Sequence, residues 1–133
     1  MHLSKNLTLK EVTKSHTASR LGIKNEPRKR ELDNLREIGY RSPKLNTAIG
    51  GSPVSQHCQG RALDLDADVF GGVCNAEIFK YIKDNLDFDQ LIWEMGTDLN
   101  PAWVHVSYVS DRENRKRIYK ATQKGGVTVY SVW

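Results

Sequence analysis

A chain of 133 residues is long enough to enclose one hydrophobic core but not two, so a single domain spanning 1–133 is expected. Its 38% hydrophobic and 27% charged content is that of an ordinary globular protein, and no apolar run reaches the length of a membrane-spanning helix. The formal charge of +4, from 20 Lys+Arg against 16 Asp+Glu, attracts polyanions only in a general way.

The opening Met1-His2-Leu3-Ser4-Lys5-Asn6 lacks the apolar stretch of a signal peptide, so synthesis in the cytoplasm is expected. Thr8-Leu9-Lys10-Glu11 has the pattern of a capping box and predicts a short helix from Leu9 with Val12 turned inward. Ser15 to Gly22 reads as polar and turn-rich. Asn25 as cap and Pro27 in the first turn predict a second helix to about Ile38, with Leu32, Leu35 and Ile38 as its apolar stripe.

Gly39 to Gly60 is rich in Gly, Ser, Pro and Asn and reads as one long ordered loop, a feature that is usually functional in a compact domain. Ala62-Leu63-Asp64-Leu65-Asp66-Ala67 alternates apolar and acidic residues, as a half-buried strand does. Asn75 is expected to cap a helix to about Asp84 that buries Ile78, Phe79 and Ile82.

Gln90–Glu94 and Trp103–Val109 read as strands joined by the turn-forming stretch Gly96 to Pro101, and Val127–Val132 as a last strand after Gly125-Gly126. Helices come first and strands later, without βαβ alternation. The expected class is α+β, a small antiparallel sheet with helices packed on one face. The basic clusters Arg28-Lys29-Arg30 and Arg112 to Arg117 are short and carry no interleaved aromatics. They read as solvated helix or loop surface, and no nucleic-acid partner is expected. Cys58 and Cys74 are too few for a disulfide framework and match no zinc-finger spacing, so both are expected as free thiols.

Three residues stand out for their chemistry. His57 ends the long loop, Asp64 lies in the following strand, and His105 lies mid-strand between Val104 and Val106. If the valine face packs on the helices, His105 turns to the other side of the sheet. Two imidazoles and one carboxylate suit Zn²⁺, and three protein ligands leave a coordination position open, as catalytic rather than structural zinc sites do. On spacing alone, such a His/Asp pair plus a distant histidine is more often a set of unrelated surface and core residues.

The run Ser55-Gln56-His57-Cys58-Gln59-Gly60-Arg61-Ala62-Leu63-Asp64 resembles the SxHxxGxAxD signature of the zinc D-alanyl-D-alanine carboxypeptidase family. Gly39-Tyr40-Arg41-Ser42 with Asn46 and Gly50-Gly51 resembles the loop upstream of that signature. Trp103-Val104-His105-Val106-Ser107 resembles the strand that carries the third ligand, and Leu3-Ser4-Lys5-Asn6 resembles the opening of compact phage and prophage members. The resemblance spans nearly the whole chain and implies a Hedgehog/DD-peptidase-like fold. The whole chain, 1–133, would then be a single zinc peptidase domain.

It further implies that His57, Asp64 and His105 hold Zn²⁺, that Arg41 faces the substrate carbonyl, and that Ser55 contacts substrate. Members of the family carry an acidic residue three positions before the last histidine. Ala102 stands there in this chain, and Glu94, at the end of the preceding strand, is the substitute general base. The alternative for Glu94 is an exposed strand-end carboxylate. Here Ile38 also runs directly into Gly39, without the further helix and buried strand that precede this motif in the family.

The implied activity is hydrolysis of amide bonds in peptidoglycan stem peptides by a monomeric carboxypeptidase or endopeptidase, acting at the bacterial cell wall if phage-derived. The alternative is a zinc-containing module of the same fold that binds wall peptide or a partner without cleaving it.

Overall fold

The computed structural model describes residues 16–25, 41–68 and 71–133. The helices expected from Leu9 and from Pro27 to Ile38, the Arg28-Lys29-Arg30 cluster, the Gly39-Tyr40 pair and the junction preceding it lie outside the described residues. By contact density the chain divides at Leu63/Asp64 into two compact units, 1–63 and 64–133.

In the first unit, α1 spans His16–Leu21, where the sequence reads as turn-rich. The helix stops at Gly22, whose φ of +63° is a left-handed conformation that costs glycine little. The Gly22 N–H donates to Ser19 O at 3.3 Å and the Ile23 N–H to Ala18 O at 2.9 Å, which closes the end as a Schellman motif.

The stretch expected as one long loop holds two short helical pieces. Helix α2, Pro43–Ala48, starts where Ser42 Oγ accepts the Leu45 N–H at 3.3 Å and Pro43 supplies a preset φ at the first position. A 3-10 turn, Gln56–Gln59, ends at Gly60 with φ +69°. Ser-Pro at the start and glycine after the end were legible start and stop signals. The high content of turn-forming residues masked them.

Apart from the first two residues of its first strand, the sheet belongs to the second unit. The strands are β1, Ala62–Leu65; β2, Gln90–Glu94; β3, Trp103–Ser107; β4, Arg117–Lys124; and β5, Val127–Val132. They lie in the order β1-β3-β2-β4-β5, which makes the class α+β with a five-stranded sheet. The sheet is mixed rather than antiparallel, because β2 pairs with β3 antiparallel and with β4 parallel.

The reason is the return path. Gln90, the first residue of β2, is opposite both Ser107 at the end of β3 and Arg117 at the start of β4. The chain therefore crosses the start of β2 and runs alongside it in the same direction. Asp89, fully buried, holds this crossing. Arg115 grips its carboxylate through Nε at 2.7 Å and Nη2 at 2.6 Å, and the Arg117 N–H donates to its carbonyl at 3.0 Å. The basic run expected as solvated surface thus contains a structural clamp and the first residue of an unforeseen strand. Gly125 and Gly126, at φ +57° and +80°, then turn β4 into β5 in a two-residue hairpin.

Helix α3, Asn75–Asn85, packs on one face of the sheet. Phe79 and Ile82 meet Phe88, Leu91, Trp93 and Val104, and each of these six is at most 6% exposed. Ile78, expected as core, is half-buried and packs against that cluster. Phe79 meets Trp93 edge-on at 5.3 Å, and Trp133 stacks on Phe79 at 5.1 Å. The valine face of β3 is the core face, as the alternation predicts, so Trp103, His105 and Ser107 occupy the other one.

Candidate metal centre

His57 owes its position to the 3-10 turn. The Gly60 N–H donates to His57 O at 3.2 Å and the Arg61 N–H to Gln56 O at 2.9 Å, so the turn closes tightly before β1 begins at Ala62. Gly60 adopts a left-handed conformation there that costs glycine little, and Ala62 is fully buried. His57 itself is 8% exposed.

Asp64 and His105 lie on neighbouring strands, and Asn75, expected as a helix cap, ties the segments that flank them. Cys74 occupies the cap position of α3, with its N–H donating to Glu77 Oε2 at 2.8 Å. Asn75 is instead fully buried. Its Oδ1 accepts the Ala67 N–H at 2.7 Å, and its Nδ2 donates to Ala102 O at 3.0 Å and to Pro101 O at 3.2 Å. One side chain therefore fastens the segment that leaves β1 to the segment that enters β3. Asn100 supports it, accepting the Ala76 N–H at 2.8 Å and donating to Asp68 at 2.7 Å. No motif marks Asn75 or Asn100, because the partners lie up to 32 residues apart. Asp66, expected within the strand that carries Asp64, lies past the end of β1 and accepts from Asn75 at 3.1 Å.

His57, Asp64 and His105 each offer one ligand atom, and these atoms all lie within 4.8 Å of one another. The two histidines are buried and the aspartate is exposed, so the cluster is open to solvent on the carboxylate side. His105 Nδ1 stands 3.1 Å from Asp64 Oδ1. Two ligands about 2.1 Å from a tetrahedral zinc lie about 3.4 Å apart, so this spacing suits a shared ion. A borderline-soft set of two imidazoles and a carboxylate fits Zn²⁺ in the same way. Cys58, next to His57, is outside the cluster. Burial pushes its thiol pKa up, against the pull of the nearby Arg41 cation.

Arg41, expected at the substrate carbonyl, is half-buried and its backbone N–H donates to His57 O at 2.8 Å, which ties it to the turn that carries the histidine. Ser55 precedes that turn, and its carbonyl accepts the Cys58 N–H at 3.0 Å. Glu94 is half-buried at the end of β2 and pairs with Trp103, while His105 pairs with Ile92. Paired residues share a face, so Glu94 is on the His105 side of the sheet, its diagonal neighbour at about 7–8 Å between backbone positions. Gly96 makes the turn after it possible: φ is +70°, and a Cβ there would come within 2.4 Å of Asn100 O. Ala102 is exposed just before β3.

Two histidines and one carboxylate that could hold a single metal ion are the donor set of mononuclear metal sites in hydrolytic enzymes. The Peptidase M15 family profile matches residues 5–107, and the chain belongs to this family of zinc-dependent metallopeptidases. Its substrates are accordingly of the peptide class. No curated protein and no solved structure matches the chain. No helix among the described residues is long and apolar enough to cross a membrane.

Proposed function

We propose that the protein hydrolyses amide bonds in the stem peptides of peptidoglycan, as a D,D-carboxypeptidase or endopeptidase, with Zn²⁺ held by His57, Asp64 and His105. The observation that carries this reading is the approach of those three ligand atoms to within 4.8 Å in a chain of the M15 family. The peptidoglycan assignment is supported by the Ser55-to-Asp64 run and its resemblance to the carboxypeptidase signature, as are a Hedgehog/DD-peptidase-like fold for the whole chain as one monomeric domain and action at the bacterial wall.

When bound, Zn²⁺ supplies Lewis acidity, which brings the pKa of water towards neutrality and draws charge from the amide carbonyl. Glu94 takes a proton from the attacking water and returns it to the nitrogen of the leaving amine as the C–N bond breaks. Arg41 donates hydrogen bonds to the carbonyl oxygen as that oxygen gains negative charge. Ser55 hydrogen-bonds the peptide. The products are a carboxylate and an amine, with one water consumed.

Purified protein is expected to hold about one zinc per chain, and a chelator should abolish the release of new amino groups from purified muropeptides. His105→Ala should lose both metal and turnover. Full turnover in that variant would refute the assignment. Ala102, in the place of the family's acidic residue, favours a second reading, a zinc-holding module that binds wall peptide without cleaving it. Zinc content and muropeptide binding without cleavage, both indifferent to Glu94→Gln, would select it.

A further inference from the structure

Arg41 can steady a developing oxyanion only if its guanidinium is held before the charge appears, since a free arginine side chain spends its binding energy on ordering itself. Its backbone is anchored by the hydrogen bond to His57 O. The other end of the side chain meets Asn46, whose Oδ1 accepts from Arg41 Nη1 at 3.4 Å. Asn46 lies in α2, only 3% exposed, and its Nδ2 donates to Ser52 O at 2.7 Å. That bond decides which end of the amide is nitrogen and leaves the oxygen for the guanidinium. The space for this amide exists because residue 51 has no side chain. A Cβ on Gly51 would lie 2.2 Å from Asn46 Oδ1 and 2.7 Å from its Cγ.

We infer that Asn46 is the positioning residue for Arg41 and that Gly51 is there to make room for it. The inference rests on the reading of Arg41 as the carbonyl partner. A neutral amide suits this role because its oxygen orients the guanidinium without cancelling the charge, whereas a carboxylate would form an ion pair and compete with the substrate oxyanion. Gly51 has no left-handed φ to explain it, so its requirement is steric and ends when the Asn46 side chain is removed.

The test is a double-mutant cycle on zinc-loaded protein cleaving purified muropeptides, with zinc content measured for each variant. Arg41→Ala should lower kcat about 100-fold with zinc retained. Asn46→Ala should lower kcat about tenfold with KM little changed, and should add nothing in the Arg41→Ala background. Gly51→Ala should reproduce the Asn46→Ala loss alone and be silent beside it, which separates a displaced side chain from a fold that has failed.

A second readout needs no turnover. Relaxation of ¹⁵N-labelled arginine side chains should show the Arg41 guanidinium ordered in the parent and mobile in Asn46→Ala. Equal order in the two proteins, or additive kcat losses, overturns the inference. Full kcat in Arg41→Ala overturns the reading of Arg41 instead.

Discussion

Among single residues, Glu94 and the three metal donors make separable demands. On the proposed mechanism the donors set how tightly zinc is held, whereas Glu94 moves a proton and does not hold the ion. Glu94→Gln keeps the shape of the side chain and removes its basicity. It should lower kcat about 100- to 1,000-fold while zinc stoichiometry stays unchanged, measured by metal analysis alongside amine release. The fold supplies the reason to expect this of Glu94: β2/β3 register sets it diagonal to His105 on one sheet face. Alternation along each strand predicts a face, but the pairing of Gln90 with Ser107 is a contact between distant residues. The pairing of these two strands was thus legible in the turn between them, and the register that sets Glu94 diagonal to His105 was not.

At the level of elements, α3 and the turn before β3 behave as the frame of the site. Asn75→Ala removes the one side chain that joins Ala67 to Pro101 and Ala102, and leaves buried backbone groups without that partner. A loss of about 3 kcal/mol in unfolding free energy is expected in denaturant titration, together with weaker zinc affinity, because the Asp64 and His105 strands lose their common tie. The start of the helix also carries a pH dependence. The Cys74 backbone N–H, with the Cys74 side chain second, holds the Glu77 carboxyl below its ordinary value of 4.5.

A depressed carboxylate pKa favours the folded state above the ordinary value and loses that contribution as pH falls through the lowered one. Stability should therefore fall less steeply below about pH 4.5 in Glu77→Gln than in the parent, as read from thermal midpoints across that range. A parallel decline in the two proteins would remove Glu77 from the account.

For the molecule as a whole, two terms should dominate. The first is the Asp89 clamp, which holds β4 beside β2 although nothing in the local sequence demands that order. Arg115→Ala would leave a fully buried carboxylate without its bidentate partner and should cost about 3 kcal/mol. Arg115→Lys should recover little of it, because an ammonium cannot span both oxygens. The second is the metal. An ion that binds only the folded chain stabilises it by mass action, about 2.7 kcal/mol at a hundredfold excess over Kd. The thermal midpoint should rise by several degrees with added zinc and not in His105→Ala.

The local signals in the chain were sound where one side chain or one short period decides. Gln90–Glu94 and Val127–Val132, the latter placed after Gly125-Gly126, are strands with the expected bounds, and the burial of Phe79 and Ile82 followed from helical spacing. His57, Asp64 and His105 were singled out through the resemblance of the Ser55-to-Asp64 run and the Trp103-to-Ser107 strand, because spacing alone does not separate such a set from unrelated residues. Where distant segments had to choose among partners, sequence was silent: the parallel pairing of β2 with β4, the strand hidden in Arg117–Lys124, and the burial of Asn75. Those outcomes depend on which backbone groups find each other once the core has closed, a competition among contacts far apart in the chain. Residue chemistry determined what the site could hold, and tertiary structure decided what holds the site.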